Sequence, residues 1–191
     1  VGLCDYIKEN LTVKEPHIII LTGHAGDGKT SIMYQVLTEL GAEFDAKEKL
    51  SEITLPNGAQ CLCVKDFSEI PEEEQENQID RIHVMKKSVD MVKNGDYVFM
   101  VANTGPLINT FGELFDTNEN KEKSRIQLIN MMDNNDGEIK YIQDVPLCVI
   151  NVATVDNVYF ATEFLEKITQ DKLWKKCEEI GRASCRERVC V

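Results

Sequence analysis

Residues 17–30 read His17-Ile18-Ile19-Ile20-Leu21-Thr22-Gly23-His24-Ala25-Gly26-Asp27-Gly28-Lys29-Thr30. The apolar run Ile18 to Leu21 has the length of a buried strand. Residues 31–40 contain no Gly or Pro, and Ile32, Met33, Val36, Leu37 and Leu40 fall on one helical stripe. Between strand and helix lies the pattern G-x-x-x-x-G-K-[ST], with Gly23, Gly28, Lys29 and Thr30 in its fixed positions and His24, Ala25, Gly26 and Asp27 between them. A phosphate chain carries several negative charges and is gripped by backbone N–H groups at close range, where any side chain larger than hydrogen obstructs the approach. A helix starting at the loop adds the positive end of its dipole and its unpaired N–H groups to the same anion. The stretch therefore predicts phosphate binding by residues 23–31, Ser31 included. Lys29 is expected to reach the β- and γ-phosphates, and the Thr30 hydroxyl to sit on Mg²⁺.

Outward from this loop, short apolar runs alternate with helical patterns. Residues 61–64, 97–102 and 147–152 have strand length, and residues 79–93, 106–115 and 121–132 carry apolar positions at helical spacing, such as Ile82, Met85, Val89 and Val92. Such alternation predicts an α/β fold with a mostly parallel sheet. Pro56-Asn57-Gly58 marks a turn before the second strand. Residues 66–80 are strongly acidic and read as a solvated loop, and residues 133–144, with Asp133-Asn134-Asn135-Asp136-Gly137, read as a turn rather than a calcium loop, because the acidic ligand that should follow is missing. A last helix is expected over residues 158–179, with Phe160, Phe164, Leu165, Ile168, Leu173 and Trp174 on its apolar stripe.

The chain has 191 residues, 42% of them hydrophobic and 28% charged, enough to bury the core of one domain. It opens at Val1 rather than Met and is expected to be the interior of a longer product, truncated at both ends. From Ile180 onward it resembles the translation of a sequencing adapter, and Arg182, Arg186 and Arg188 are three of its five arginines. Residues 1–179 are thus expected to form a partial nucleotide-binding domain and residues 180–191 a non-native tail. Leaving out that tail, with its three Arg and one Glu, takes the formal charge from −12 to −14. A surface this acidic repels a phosphate backbone, so nucleic acid is expected as a partner only through missing regions. No apolar run approaches 18 residues, which predicts a soluble, cytoplasmic chain without membrane contact. The cysteines form no C-x-x-C pair; Cys61 and Cys63 alternate with Leu62 and Val64 and are expected to pack as small apolar residues.

Hydrolysis needs an acidic group on the Mg²⁺ side and a polar residue that positions the attacking water. Two arrangements fit. In one, the 61–64 strand lies beside the loop-bearing strand, Asp66 supplies the carboxylate and Asn103 senses the γ-phosphate. In the other, 61–64 is an outer strand, 97–102 is the neighbour, Asn103 stands where an aspartate is expected, and Asn151 is the sensor. The separations, 37 residues from Lys29 to Asp66 and 74 to Asn103, favour the second strand order. Asn103 also reads as a helix cap, and Arg81 and Arg125 are the arginine-finger candidates.

The segment Thr22 to Ser31, together with the strand ending in Ala102-Asn103, resembles P-loop ATPases of the AAA+ and STAND kind over about residues 15–155. The Gly26-Asp27-Gly28-Lys29 core is similar to ATPases of bacterial anti-phage defence, including those linked to phosphorothioate-dependent DNA restriction. The resemblance implies a P-loop NTPase three-layer sandwich that binds ATP and Mg²⁺, hydrolyses ATP, and changes shape or assembles with itself or with partner domains. A nucleotide-gated switch or degenerate ATP-binding scaffold is the competing reading. A small-molecule or nucleotide kinase would want lid arginines and an acceptor pocket, for which the two arginines within residues 1–179 leave little material.

Overall fold

The computed structural model describes residues 2–24, 26–45, 47–73 and 79–154. The helix expected over 158–179 and the tail 180–191 lie outside these residues, as does Ala25. In chain order the elements are α1 (Leu3–Thr12), β1 (Ile18–Thr22), α2 (Lys29–Glu39), β2 (Leu50–Thr54), β3 (Gln60–Val64), α3 (Arg81–Lys93), β4 (Tyr97–Val101), α4 (Thr104–Gly112), α5 (Asn118–Asn134), β5 (Ile139–Ile142) and β6 (Val145–Asn151). One six-stranded sheet runs β2-β3-β4-β1-β6-β5. The four inner strands are parallel, and each edge strand pairs antiparallel with its neighbour.

The apolar run of β1 is continuous because both of its faces are covered. Ile18 and Ile20 pack with Val84 and Met85 of α3, Leu107 and Phe111 of α4 and Leu128 of α5. Ile19 and Leu21 pack on the opposite face with Ile7 and Leu11 of α1 and Met33, Val36 and Leu37 of α2. The period-2 alternation of side chains thus feeds two cores, one on each side of the sheet. From β1 the chain crosses outward to β3 by way of α2, then returns through α3 to β4 and through α4 and α5 toward β6. A uniform crossover hand puts helices on opposite faces when the direction of travel reverses. The expected α/β class with a mostly parallel sheet is what the structure has.

Two expectations need correction, and two elements were not expected at all. Helix α1 and strand β2 carry no expectation, and residues 133–144 are not simply a turn. Helix α5 runs on through Asn134, Asn135 takes a left-handed conformation at φ 44°, and Ile139–Ile142 then forms β5, which pairs Ile142 with Val145 across a two-residue turn. Four residues with two exposed or half-buried polar members are too short for periodicity to register as a strand. The acidic 66–80 segment is not simply solvated either. Phe67 is fully buried and Ile70 nearly so, both in the α3–α5 core, so they pin the start of the segment to the sheet.

The strand order follows the second of the two arrangements: β4, not β3, lies beside β1. Loops that leave the carboxyl ends of β1, β3 and β4 therefore meet at one end of the sheet, the usual place for a ligand in an open α/β fold.

Candidate functional site

The loop between β1 and α2 is closed by its own side chains. Asp27 accepts a hydrogen bond from the His24 N–H at 2.5 Å through Oδ2, and the Lys29 ammonium donates to the His24 carbonyl at 2.5 Å. His24 contributes its backbone to this closure, while its residue surface is exposed. Gly23 has φ 146°, and a Cβ there would fall 2.7 Å from Asp27 Oδ2 and 3.2 Å from the Ala153 nitrogen. Only glycine lets the loop pack so closely on its own carboxylate and on the turn after β6. Gly28, the N-cap of α2, is left-handed at φ 76° and offers no side chain to the helix N-terminus.

Lys29 is only 6% exposed although it carries a charge. Thr30 Oγ1 donates to the Lys65 carbonyl at 3.5 Å, linking α2 to the end of β3. The Lys65 ammonium is buried 5.9 Å from the ring centroids of both Tyr34 and Phe44. The Thr22 and Thr104 hydroxyls lie 3.3 Å apart and join the end of β1 to the start of α4.

These elements enclose a cavity of about 300 Å³ lined by Gly26, Asp27, Gly28, Lys29, Thr30 and Ser31 of the loop and helix, and by Asp66, Val101 and Asn103. Asp66 and Asn103, which follow different strands, both reach it. Asp66 caps a short 3₁₀ turn, Phe67–Glu69, by accepting from the Ser68 N–H at 2.9 Å. Asn103 is the N-cap of α4, yet its side chain makes no capping hydrogen bond. Its reading as a cap thus holds for the backbone position and not for the amide. The actual arrangement combines the strand order of one sequence alternative with the residue pair of the other.

Asn151 does not line the cavity. Its side-chain oxygen accepts from the Ala153 N–H at 3.1 Å, and its amide reaches the Met132 carbonyl at 3.4 Å; its backbone N–H and carbonyl exchange hydrogen bonds of 2.7 and 3.1 Å with the Asn135 side chain. It fastens β6 to the end of α5. Arg125 pairs with Glu113 at 2.8 Å on the α4–α5 face, and Arg81 Nη2 donates to the Ser68 carbonyl at 2.9 Å. Both arginines are thus engaged with their own fold.

Helices α3 and α5 open on side-chain caps, Asp80 and Thr117. Helix α2, which opens onto the cavity, has no side-chain cap and no acidic residue in its first turn. Its N-terminal N–H groups and dipole and the Lys29 ammonium belong to residues that line one cavity, a donor set for a polyanion, while the Thr30 hydroxyl, its proton given to the Lys65 carbonyl, keeps its lone pairs for a cation. Among the described residues no three His, Cys, Asp or Glu side chains converge on a metal position. A Mg²⁺ held mainly by phosphates and water needs only one or two protein oxygens, and Thr30 and Asp66 in the same cavity fit that demand.

Sequence reasoning missed Val101, Thr104 and Ser68. Asp66-Phe67-Ser68 after a strand is a side-chain turn signal that points to Ser68. No local signal pairs Thr22 with a residue so far along the chain. No protein-family model, curated protein or solved structure matches this chain.

Proposed function

We propose that the chain is the P-loop core of an ATPase, binding Mg·ATP at the β1–α2 loop and hydrolysing it to drive a conformational or assembly change in a larger protein. The observation that carries the reading is the cavity in which the glycine-rich loop, an uncapped helix N-terminus, Lys29, Thr30, Asp66 and Asn103 meet. The loop amides would hold the phosphate oxygens, Lys29 would neutralise charge on the β- and γ-phosphates, and the Thr30 and Asp66 oxygens would hold a Mg²⁺ that supplies further charge neutralisation when bound. Asn103 directs its amide at the γ-phosphate end and orients the attacking water. The Gly26-Asp27-Gly28-Lys29 core supports a setting in bacterial defence, and the acidic surface a protein rather than a nucleic-acid partner.

Calorimetric titration with ATP tests the site. Lys29→Ala removes a charge-assisted contact of about 1.5–3 kcal/mol, roughly a ten- to hundredfold loss of affinity. Equal affinity in parent and variant contradicts the assignment.

One observation favours a second reading, binding without turnover. Of the two carboxylates at the cavity, Asp27 is engaged by the His24 N–H and Asp66 by the Ser68 N–H. An ATP turnover assay separates the readings: hydrolysis that Asp66→Asn abolishes while binding persists supports the first, and a parent that binds without turnover supports the second.

A further inference from the structure

Ser68 has three polar functions, all three engaged, one within its own turn and two with other elements. Its N–H donates to Asp66 Oδ1, its Oγ accepts from the Asn103 backbone N–H, and its carbonyl accepts from Arg81 Nη2, each at 2.9 Å. That is the normal length of a well-formed N–H···O bond. The first two bonds run to the two polar residues that β3 and β4 deliver to the cavity. The third runs to the first residue of α3. Arg81 is itself held: its backbone N–H donates to the Pro71 carbonyl at 2.9 Å, and its side chain is 18% exposed. Among the described residues no other hydrogen bond joins the 66–69 turn to the β4–α4 junction.

We propose that Ser68 is the positioning residue of the cavity, locking Asp66 and Asn103 into one unit while Arg81 braces it from α3. The inference rests on the reading of the cavity as an Mg·ATP site. With the Ser68 hydroxyl gone, the Asn103 N–H loses its acceptor and the β4–α4 junction is released from the turn that carries Asp66. The loop, Lys29 and Thr30, which grip the phosphates, are untouched. The effect therefore falls on the geometry of the reacting end and not on nucleotide binding.

The test is steady-state ATP turnover of the whole chain with Ser68→Ala, Ser68→Thr and Arg81→Gln, alongside ATP affinity by calorimetry with Mg²⁺ and with EDTA. Ser68→Ala is expected to lower kcat about ten- to hundredfold with KM unchanged. Ser68→Thr, which keeps an acceptor hydroxyl, restores most of the rate, and Arg81→Gln gives a smaller loss in the same direction. Asn103→Ala combined with Ser68→Ala costs less than the product of the single effects, because both act through one unit. Unchanged kcat in Ser68→Ala and Arg81→Gln overturns the proposal and leaves the ATPase reading standing. A loss of kcat with a matching rise in KM and no rescue by Thr also overturns it, since that is the signature of a damaged fold. If the parent binds Mg·ATP without turning it over, the readout is the gain in ATP affinity on adding Mg²⁺. Loss of that gain in Ser68→Ala supports the positioning role, and its retention overturns it. A parent that binds no ATP overturns both readings together.

Discussion

At the scale of single residues, two buried polar side chains show how position decides chemistry. Lys29 is buried where donors converge on the loop; His17 is buried where nothing needs its charge. His17 precedes β1, is fully buried, places Nδ1 2.7 Å from the Glu15 carbonyl, and has Nε2 buried without a hydrogen-bond partner. Burial pushes its pKa below the ordinary histidine value, against an opposing contribution from the Glu15 hydrogen bond. The unfolded chain therefore takes up a proton first as the pH falls. Stability from the neutral imidazole is complete above about pH 6.5 and is lost as the pH drops toward the lower folded value. We expect the urea midpoint of the parent to decline between about pH 7 and pH 5.5, above most carboxylate titrations, and the decline to flatten in His17→Gln. Parallel declines in the two proteins would assign the pH dependence to other groups.

At the scale of elements, α3 and α5 close their first turns with a side-chain cap, whereas α1, α2 and α4 do not. The Asp80 carboxylate accepts from the His83 N–H at 2.8 Å and from the His83 ring at 2.9 Å, and the first of these bonds, with help from the second, holds its pKa below the usual carboxylate range. It satisfies a donor that the first turn of α3 cannot pair internally. Because α3 carries Arg81 at its first position, the same cap fixes the brace behind the cavity. Asp80→Ala should cost about 1 kcal/mol, within a range of roughly 0.5–2 for such caps, and lower the thermal midpoint by about 2–4 °C. Asp80→Asn, which keeps an acceptor, should lose less. A melt at neutral pH in which Asp80→Ala matches the parent would contradict the capping role. The exposed pair Lys87–Glu52, at 2.6 Å, joins α3 to the edge strand β2, and its solvent screening leaves it a minor contributor.

At the scale of the whole molecule, the site exists because three strands end together. The Thr30 bond to the Lys65 carbonyl and the Thr22–Thr104 contact cross from α2 to β3 and from β1 to α4. A ligand seated in the cavity would touch residues from the β1–α2, β3 and β4 segments at once and stabilise the folded state as a unit. Saturation at about a hundred times Kd contributes about 2.7 kcal/mol, which raises the thermal midpoint of a chain this size by roughly 5–10 °C. We expect that shift with Mg·ATP in the parent and a much smaller one in Lys29→Ala at the same nucleotide concentration. Equal shifts in a paired thermal-melt series would place the nucleotide elsewhere.

The local content of the chain was legible because it rests on nearest neighbours. The apolar run at Ile18 to Leu21, the glycines of the loop and the stripe from Ile32 to Leu40 specify a strand, a turn and a helix through sterics and periodicity alone. The edge strands β2 and β5 were not legible, since strands of four or five residues that are partly exposed owe their form to pairing with β3 and β6 rather than to their own pattern. Nor were the relations among Asp66, Asn103 and Asn151. Sequence separation favoured one strand order without closing the other, because loop closure costs little more for a long excursion than for a short one. Only the packed sheet, with β4 beside β1 and β3 beyond it, brought Asp66 and Asn103 to one cavity, sent Asn151 to fasten β6 onto α5, and made Ser68 the point where two strand ends meet.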